Sequence, residues 1–225
     1  MIGSQSSGAS VSSVSVSYEP YNRAPVIERF ALRQQGAAVS GEALFRWVAS
    51  DPDLDPVKIS LRYRPARSGD WRRAEDGASF EPGSTDAQEG ELRWDTSAID
   101  EGRYEIQAIA TDGAANPLGE GREFRTEPPL LLTIDRTPPR IDIISGEQGL
   151  LEVSLSDDLS VIGSLELLRG GRVVNTIRAE DGMCDSPTES FRLRLPDDEG
   201  DWSLRGVDSA GNGVERRLDE PADVG

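Results

Sequence analysis

The most concentrated chemistry in the chain lies in one short stretch, Asp51-Pro52-Asp53-Leu54-Asp55, which sets three carboxylates at alternate positions. Hard cations such as calcium need several oxygens at once, and alternate acids in a loop can converge on one ion. Asp112 and Asp135, each following an apolar run, could add charge from neighbouring strand ends. Asp51, Asp53, Asp55, Asp112 and Asp135 are therefore the candidate metal ligands, with calcium as the candidate ion. The stretch is not an EF-hand, having neither the glycine at the turn nor the distal glutamate. Its plainer reading is a solvated acidic turn whose aspartates cap backbone amides. A second acidic pair, Asp157-Asp158, falls near the start of a second module, where a cation could stiffen the joint.

Catalysis has little to work with. Histidine is absent, which removes the commonest general base and the usual zinc ligand together. Cys184 is the only cysteine, so it forms no internal disulfide, and no basic residue beside it in sequence would activate it as a nucleophile. Paired carboxylates could hydrolyse a glycoside, but nothing in the spacing singles out two that face each other. No catalytic residue is assigned and no enzyme activity is expected. Carbohydrate binding would need an exposed aromatic face, for which Trp71 and Trp94 are the candidates, although a core position is the favoured reading of each, since large aromatics carry much of a small sandwich's burial.

Charge narrows the partners. A net charge of -17, from 41 acidic and 24 basic residues, opposes nonspecific binding to nucleic acid or anionic lipid. Lys58 is the only lysine. No apolar run approaches the ~18 residues of a membrane span. The expected partners are a protein, other copies of the chain, or an upstream domain of the same precursor.

The elements that must position these groups are strands, and the chain announces them by repeating itself. Glu101-Gly102-Arg103-Tyr104-Glu105-Ile106, running on to Thr111-Asp112-Gly113, returns as Glu199-Gly200-Asp201-Trp202-Ser203-Leu204, running on to Val207-Asp208-Ser209-Ala210-Gly211-Asn212. Ala24-Pro25-Val26-Ile27 is echoed by Pro138-Pro139-Arg140-Ile141, and Ala49-Ser50-Asp51 by Leu155-Ser156-Asp157. Alternating apolar residues bounded by turn formers predict seven strands in each copy. In the first they are 26–32, 43–49, 58–64, 71–74, 91–95, 104–111 and 129–134, with a long exposed loop over 76–90. In the second they are 140–144, 150–155, 164–168, 173–179, 190–195, 202–207 and 214–218, with a tight hairpin at Gly170-Gly171. No amphipathic helix is predicted. Trp47, Tyr104 and Trp202 are the expected core anchors.

The fold class is thus all-β, two tandem β-sandwich modules joined by a short proline-stiffened hinge at Asp135-Arg136-Thr137-Pro138-Pro139. The expected boundaries are a linker and extended strand over 1–23, modules over 24–137 and 138–219, and a tail over 220–225. Residues 3–13 are linker-like, and after them Val14, Val16 and Tyr18 alternate with serines. That segment is read either as the first edge strand of the adjacent module or as a strand added to a neighbouring domain or another copy.

The motifs Phe45-Arg46-Trp47-Val48-Ala49-Ser50-Asp51-Pro52-Asp53-Leu54-Asp55, Trp94-Asp95-Thr96-Ser97, Asp100-Glu101-Gly102-Arg103-Tyr104 and Ala110-Thr111-Asp112 resemble the bacterial immunoglobulin-like and fibronectin type III-like modules of exported proteins. The first module carries the resemblance well and the second loosely. It implies a cell-surface or extracellular location and a noncatalytic role as spacer, scaffold or adhesion element. Modules similar to these often follow a β-propeller or repeat domain, so the resemblance also implies that the chain is the tail of a larger protein.

Overall fold

The computed structural model describes residues 11–16, 21–34, 36–75, 79–80, 87–145, 149–196 and 200–218. Seventeen strands and no helix are found among them. Strands β1 (Val26–Leu32), β3 (Glu42–Ser50) and β7 (Gln88–Asp95) form one sheet of the first module. The opposing sheet is ordered β2 (Ala38–Val39), β10 (Leu130–Ile134), β8 (Gly102–Thr111), β4 (Val57–Pro65) and β5 (Arg72–Glu75), with β6 (Ser79–Phe80) on β4 and β9 (Glu123–Arg125) on β8. Every pairing is antiparallel except β2 with β10, where Thr133 aligns with Ala38 and Ile134 with Val39.

The second module repeats the plan in fewer pieces. Strands β11 (Arg140–Ser145), β12 (Leu150–Ser156) and β15 (Thr188–Arg194) face a sheet ordered β14 (Arg172–Ile177), β13 (Ile162–Arg169), β16 (Trp202–Asp208) and β17 (Gly213–Arg217). Three strands on one side and four on the other, with the second and fifth of the seven paired across from the third and sixth, is the immunoglobulin-like sandwich arrangement. The Gly170-Gly171 turn closes the β13–β14 hairpin with φ of 54° and 76°, the doubly positive geometry of a two-residue hairpin that glycine alone adopts without strain.

Each sandwich has its own core because alternate residues of both inner faces point at one another. In β3 the buried set is Ala43, Phe45, Trp47 and Ala49, while Leu44 and Val48 on the other face are half-buried. Opposite them lie Ile59, Leu61, Ile106 and Leu132, all buried. Phe30 stacks on Phe45 at 5.2 Å, Tyr63 lies 4.8 Å from Trp94, and Tyr104 meets Tyr63 edge-on at 5.9 Å. The Tyr104 hydroxyl donates to the Asp100 carbonyl at 2.7 Å, so a large ring is buried with its polar end satisfied. Burying each such side chain stabilises the module by about 1.5–3 kcal/mol before chain entropy is counted.

Leu155, Ile162, Leu165, Phe191 and Leu204 centre the second core. Trp202, expected there as an anchor, is instead a half-buried residue packed at its edge, with the Arg169 guanidinium 5.2 Å from the centre of its ring. The reason is its place at the start of β16, beside the β13–β14 end of the sandwich where Arg169 is its ladder neighbour. Gly206 sits farther along β16, where a Cβ would fall 2.7 Å from Leu155 Cδ2, so the sheets approach closely at that point.

Two expectations at the amino terminus and in the first module are not met as stated. Residues 11–16 carry no strand, and Val14 and Val16 are about four-fifths exposed, so they form no edge of the adjacent module. Tyr18, the tail over 220–225 and much of the 76–90 loop lie outside the described residues. The strand expected at 91–95 begins earlier, at Gln88, because β7 follows β3 for its full length to the Ala49–Gln88 pair.

Candidate functional site

The two acidic groups occupy equivalent poles of the two sandwiches. Asp51 follows β3 and Asp112 follows β8, and antiparallel pairing brings those strand ends together at the end where β4 begins. Asp157 follows β12 and Asp208 ends β16 at the matching pole of the second module. Asp135 belongs with the second group. Its predecessor Ile134 pairs with Gly102, at the start of β8, while Asp112 lies beyond the end of that ten-residue strand. About 3.3 Å per residue separates the two by roughly the length of the sandwich. The five-residue ligand set anticipated from sequence is thus divided between two sites.

At the first pole the acids are largely occupied. Asp51 is buried, with Oδ1 accepting the amides of Asp53 at 2.8 Å and Asp55 at 3.1 Å, the capping geometry expected of an acidic turn. Its Oδ2 is buried and has no hydrogen-bond partner. Burial pushes the Asp51 carboxyl above the usual range, and the charges of Asp55 and Asp112 push the same way. Asp53 turns outward to Arg23, accepting from its amide at 2.7 Å and its guanidinium at 2.7 and 2.9 Å, and these bonds hold its carboxyl below the usual range. Asp55 accepts from Asn116 Nδ2 at 2.9 Å. Asp112, fully buried, accepts from the Arg122 amide at 2.5 Å and from Asn22 Nδ2 at 3.0 Å. Asn22 Oδ1 is also buried without a partner.

The second pole lies at the joint. Asp135 is 0% exposed, and its Oδ1 accepts the Thr137 amide at 3.0 Å while Oδ2 has no partner. Burial pushes its carboxyl up, opposed by hydrogen bonds from Ser160 and Thr137 and reinforced by the charges of Asp157 and Asp208. Asp157 Oδ1 accepts the amides of Leu159 at 2.9 Å and Ser160 at 2.8 Å. Asp208 accepts from the Asn212 amide and from Asn212 Nδ2, each at 2.8 Å. Carboxylate oxygens of Asp135, Asp157 and Asp208 all lie within 4.8 Å of one another. Asp158, the other half of the acidic pair, is exposed.

The same few residues tie the modules together. Asn212 Nδ2 donates to the Asp135 carbonyl at 2.9 Å, and the Asp135 amide donates to the Val39 carbonyl at 2.9 Å. Arg136 reaches back to the first module, donating through Nη2 to Ile99 O at 2.8 Å and through Nη1 to Thr96 O at 3.4 Å, while its amide donates to Glu101 Oε1. Beside this junction a groove of about 750 Å³ is lined by Pro65, Arg67, Arg103 and Leu131 of the first module and Val161 and Ser209 of the second.

The remaining candidates fare differently. Trp47 and Tyr104 are buried in the first core. Trp94 is 2% exposed and has no face to offer a sugar. Trp71 is half-buried, with the guanidinium carbons of Arg62 and Arg64 at 4.7 and 4.6 Å from its ring centre. Cys184 is half-buried against the second core, and its thiol is pushed up by burial first and then by Glu189 and Asp181. Asp208 was missed from sequence as a member of this acidic group, although the repeat that aligns Asp112-Gly113-Ala114-Ala115-Asn116 with Asp208-Ser209-Ala210-Gly211-Asn212 marked it.

The fold is that of a tandem of immunoglobulin-like β-sandwiches. No protein-family model and no curated protein matches the chain. Among solved structures it is similar to the FN1-FN3 domains of chicken CNTN1, at 12% identity and a TM-score of 0.35, covering 89% of this chain and 69% of that one. It is also similar to a Salmonella enterica SafA pilin in complex with the SafB chaperone, at 13% identity and a TM-score of 0.29, covering 84% and 96%. Red sea bream transglutaminase matches at 10% identity and a TM-score of 0.30, covering 87% of this chain and 32% of that one. At such identities and TM-scores no ligand, partner or activity transfers to this chain. Among the described residues no helix is long and apolar enough to cross a membrane.

Proposed function

We propose that the chain is a noncatalytic structural element, a spacer or adhesion tandem of a larger exported protein, which holds whatever precedes it at a fixed orientation to whatever follows. The observation that carries this reading is the hinge itself: Asp135 and Arg136 are bonded to the first module while the Asp135 carbonyl is bonded to Asn212 of the second. A segment so short and so fully bonded transmits orientation rather than merely tethering. An export location follows from the motif resemblance, and a noncatalytic role accords with a chain that has no histidine.

Partners are proposed at the amino-terminal end. The pole of the second module that receives the first module has a counterpart in the first module at Asp51, Asp53 and Asp112, where Asn22 already donates to Asp112 and Arg23 to Asp53. An upstream domain or another copy of the chain is the partner this pole would receive. The exposed Val14 and Val16 support strand addition as the means, with Tyr18 completing the segment. Light scattering against concentration tests it: strand exchange gives growing head-to-tail species that vanish on deletion of residues 1–19, whereas a monomer at all concentrations would leave only the spacer role. The competing reading, an accessory carbohydrate module, loses Trp94 to the core. A glycan panel that returned a binder sensitive to Trp71→Ala would restore it.

A further inference from the structure

We propose that the joint between the modules is a divalent-cation site, with calcium as its ion, in which Asp135 of the first module and Asp157 and Asp208 of the second ligate one metal. The proposal goes beyond the spacer reading and does not depend on it, since a bonded hinge can be stiff with no ion in it.

Geometry supplies the first argument. Calcium is held by oxygens at about 2.3–2.6 Å, so two ligands of one ion can be no more than roughly 4.6–5.2 Å apart. The three carboxylates offer oxygens that lie within 4.8 Å of one another, as one ion in their midst would require. The second argument is the partnerless oxygen. Asp135 is 0% exposed, its Oδ1 is engaged by the Thr137 amide, and its Oδ2 makes no hydrogen bond at all. A buried carboxylate oxygen left without a donor is rare, and an ion or an ordered water is among the groups that account for one. Facing Asp135 are two more acids and the Ser160 hydroxyl, which also donates to Asp157 Oδ1 at 3.4 Å, while Arg136, the cation next to it in sequence, is turned away to Thr96 and Ile99. The third argument is positioning. Asp157 is oriented by the amides of Leu159 and Ser160, and Asp208 by the amide and Nδ2 of Asn212, so both carboxylates are held by donors behind them, as metal ligands usually are.

The other acidic groups do not reach this standard. Asp181, Asp185 and Glu189 also approach one another, but two of them are exposed and none of their oxygens is both buried and without a partner. At the first pole Asp51 Oδ2 is likewise buried without a partner, but Asp53 is consumed by Arg23 and no three carboxylates of the described residues converge there. Three carboxylates leave several of calcium's six to eight positions to water and backbone oxygen, which places the affinity with extracellular modules, at a Kd on the order of 0.1–1 mM.

The test uses the full chain stripped with chelator and titrated with calcium alone, by calorimetry and by amide hydrogen exchange. The expected result is saturable binding in that range, with exchange slowed at 135–137, 157–160 and 208–212. Asp135→Asn and Asp208→Asn should weaken binding at least tenfold, since loss of a group that merely orients a ligand already costs about 10–100-fold, whereas Asp53→Asn at the other pole should not. Should a joint variant fail to fold, the exchange map of the unaltered chain still decides. Absence of binding at 10-fold above the expected range (about 10 mM), or binding with no slowing at those three segments, overturns the proposal. So does binding that survives Asp135→Asn unchanged. A rigid joint without calcium binding would overturn the metal site and leave the spacer role standing.

Discussion

Gly90→Ala should destabilise the first module by about 1–2 kcal/mol, because Trp47 occupies the space a side chain would need. The two residues are ladder partners in β3 and β7. A Cβ built on Gly90 falls 2.3 Å from Trp47 Cζ2 and 2.8 Å from Cε2, inside any real carbon–carbon contact. The ring cannot swing aside cheaply, since it is 4% exposed and belongs to the same core as Phe45 and Ile106. Overpacking of a close-packed interior costs about 1–3 kcal/mol. The reduced freedom of alanine in the unfolded chain offsets about 0.4–1 kcal/mol of that. Urea unfolding followed by tryptophan fluorescence reads the difference. At about 1 kcal/mol per molar urea for a module of this size, the midpoint should fall by about 1–2 M. Gly41→Ala is the matched control: nothing lies within 4 Å of its added Cβ, and its midpoint should stay within about 0.5 M. A Gly90→Ala midpoint equal to or above that of the unaltered chain would refute the placement of Trp47 as the anchor of that core.

Three further outcomes follow from the same geometry. Trp94→Ala should cost the first module about 3–5 kcal/mol and Trp71→Ala no more than about 1, in parallel urea curves, because one ring is in the core and the other lies outside it beneath two guanidiniums. Comparable losses would mean that Trp71 is structural. Asn212→Ala should destabilise the second module by about 1–3 kcal/mol in urea, since it removes donors to the Asp135 carbonyl and to Asp208; an unchanged curve would show those bonds to be idle. Cys184 should alkylate slowly: a raised thiol pKa leaves less thiolate at any given pH below it, so the rate–pH midpoint should lie above that of the urea-unfolded chain. A midpoint below it would contradict the burial argument.

Much of the strand map was legible because the long strands alternate cleanly. Val26–Leu32 was placed to the residue, and Gly170-Gly171 named its own turn. The short strands Ala38–Val39, Ser79–Phe80 and Glu123–Arg125 were not, since two or three residues carry no period and exist only through the strand beside them. At Val14 and Val16 only the reading as an edge strand of the adjacent module fails: alternation is a local property, and it does not say which partner strand the segment would meet. Trp202 was misplaced by analogy with Tyr104, whose position the repeat aligned but whose surroundings it did not. The acidic residues were recognisable by type, and capping by Asp51 was anticipated, yet the grouping was wrong. Asp135 is assigned to a pole by the register of β10 on β8, a long-range pairing invisible in local sequence. Aligning the repeat fully would have put Asp208 beside Asp157, because both copies end the same two strands at the same pole.

A fixed joint is most directly tested by spin–spin distance measurement across it. Nitroxides at Ala114 and Asn175, both exposed and one in each module, would be introduced in a Cys184→Ser background. A hinge bonded through Asp135, Arg136 and Asn212 should give a single peak as narrow as that from a label pair within one module. A broad or multimodal distribution would contradict it and reduce the hinge to a flexible tether.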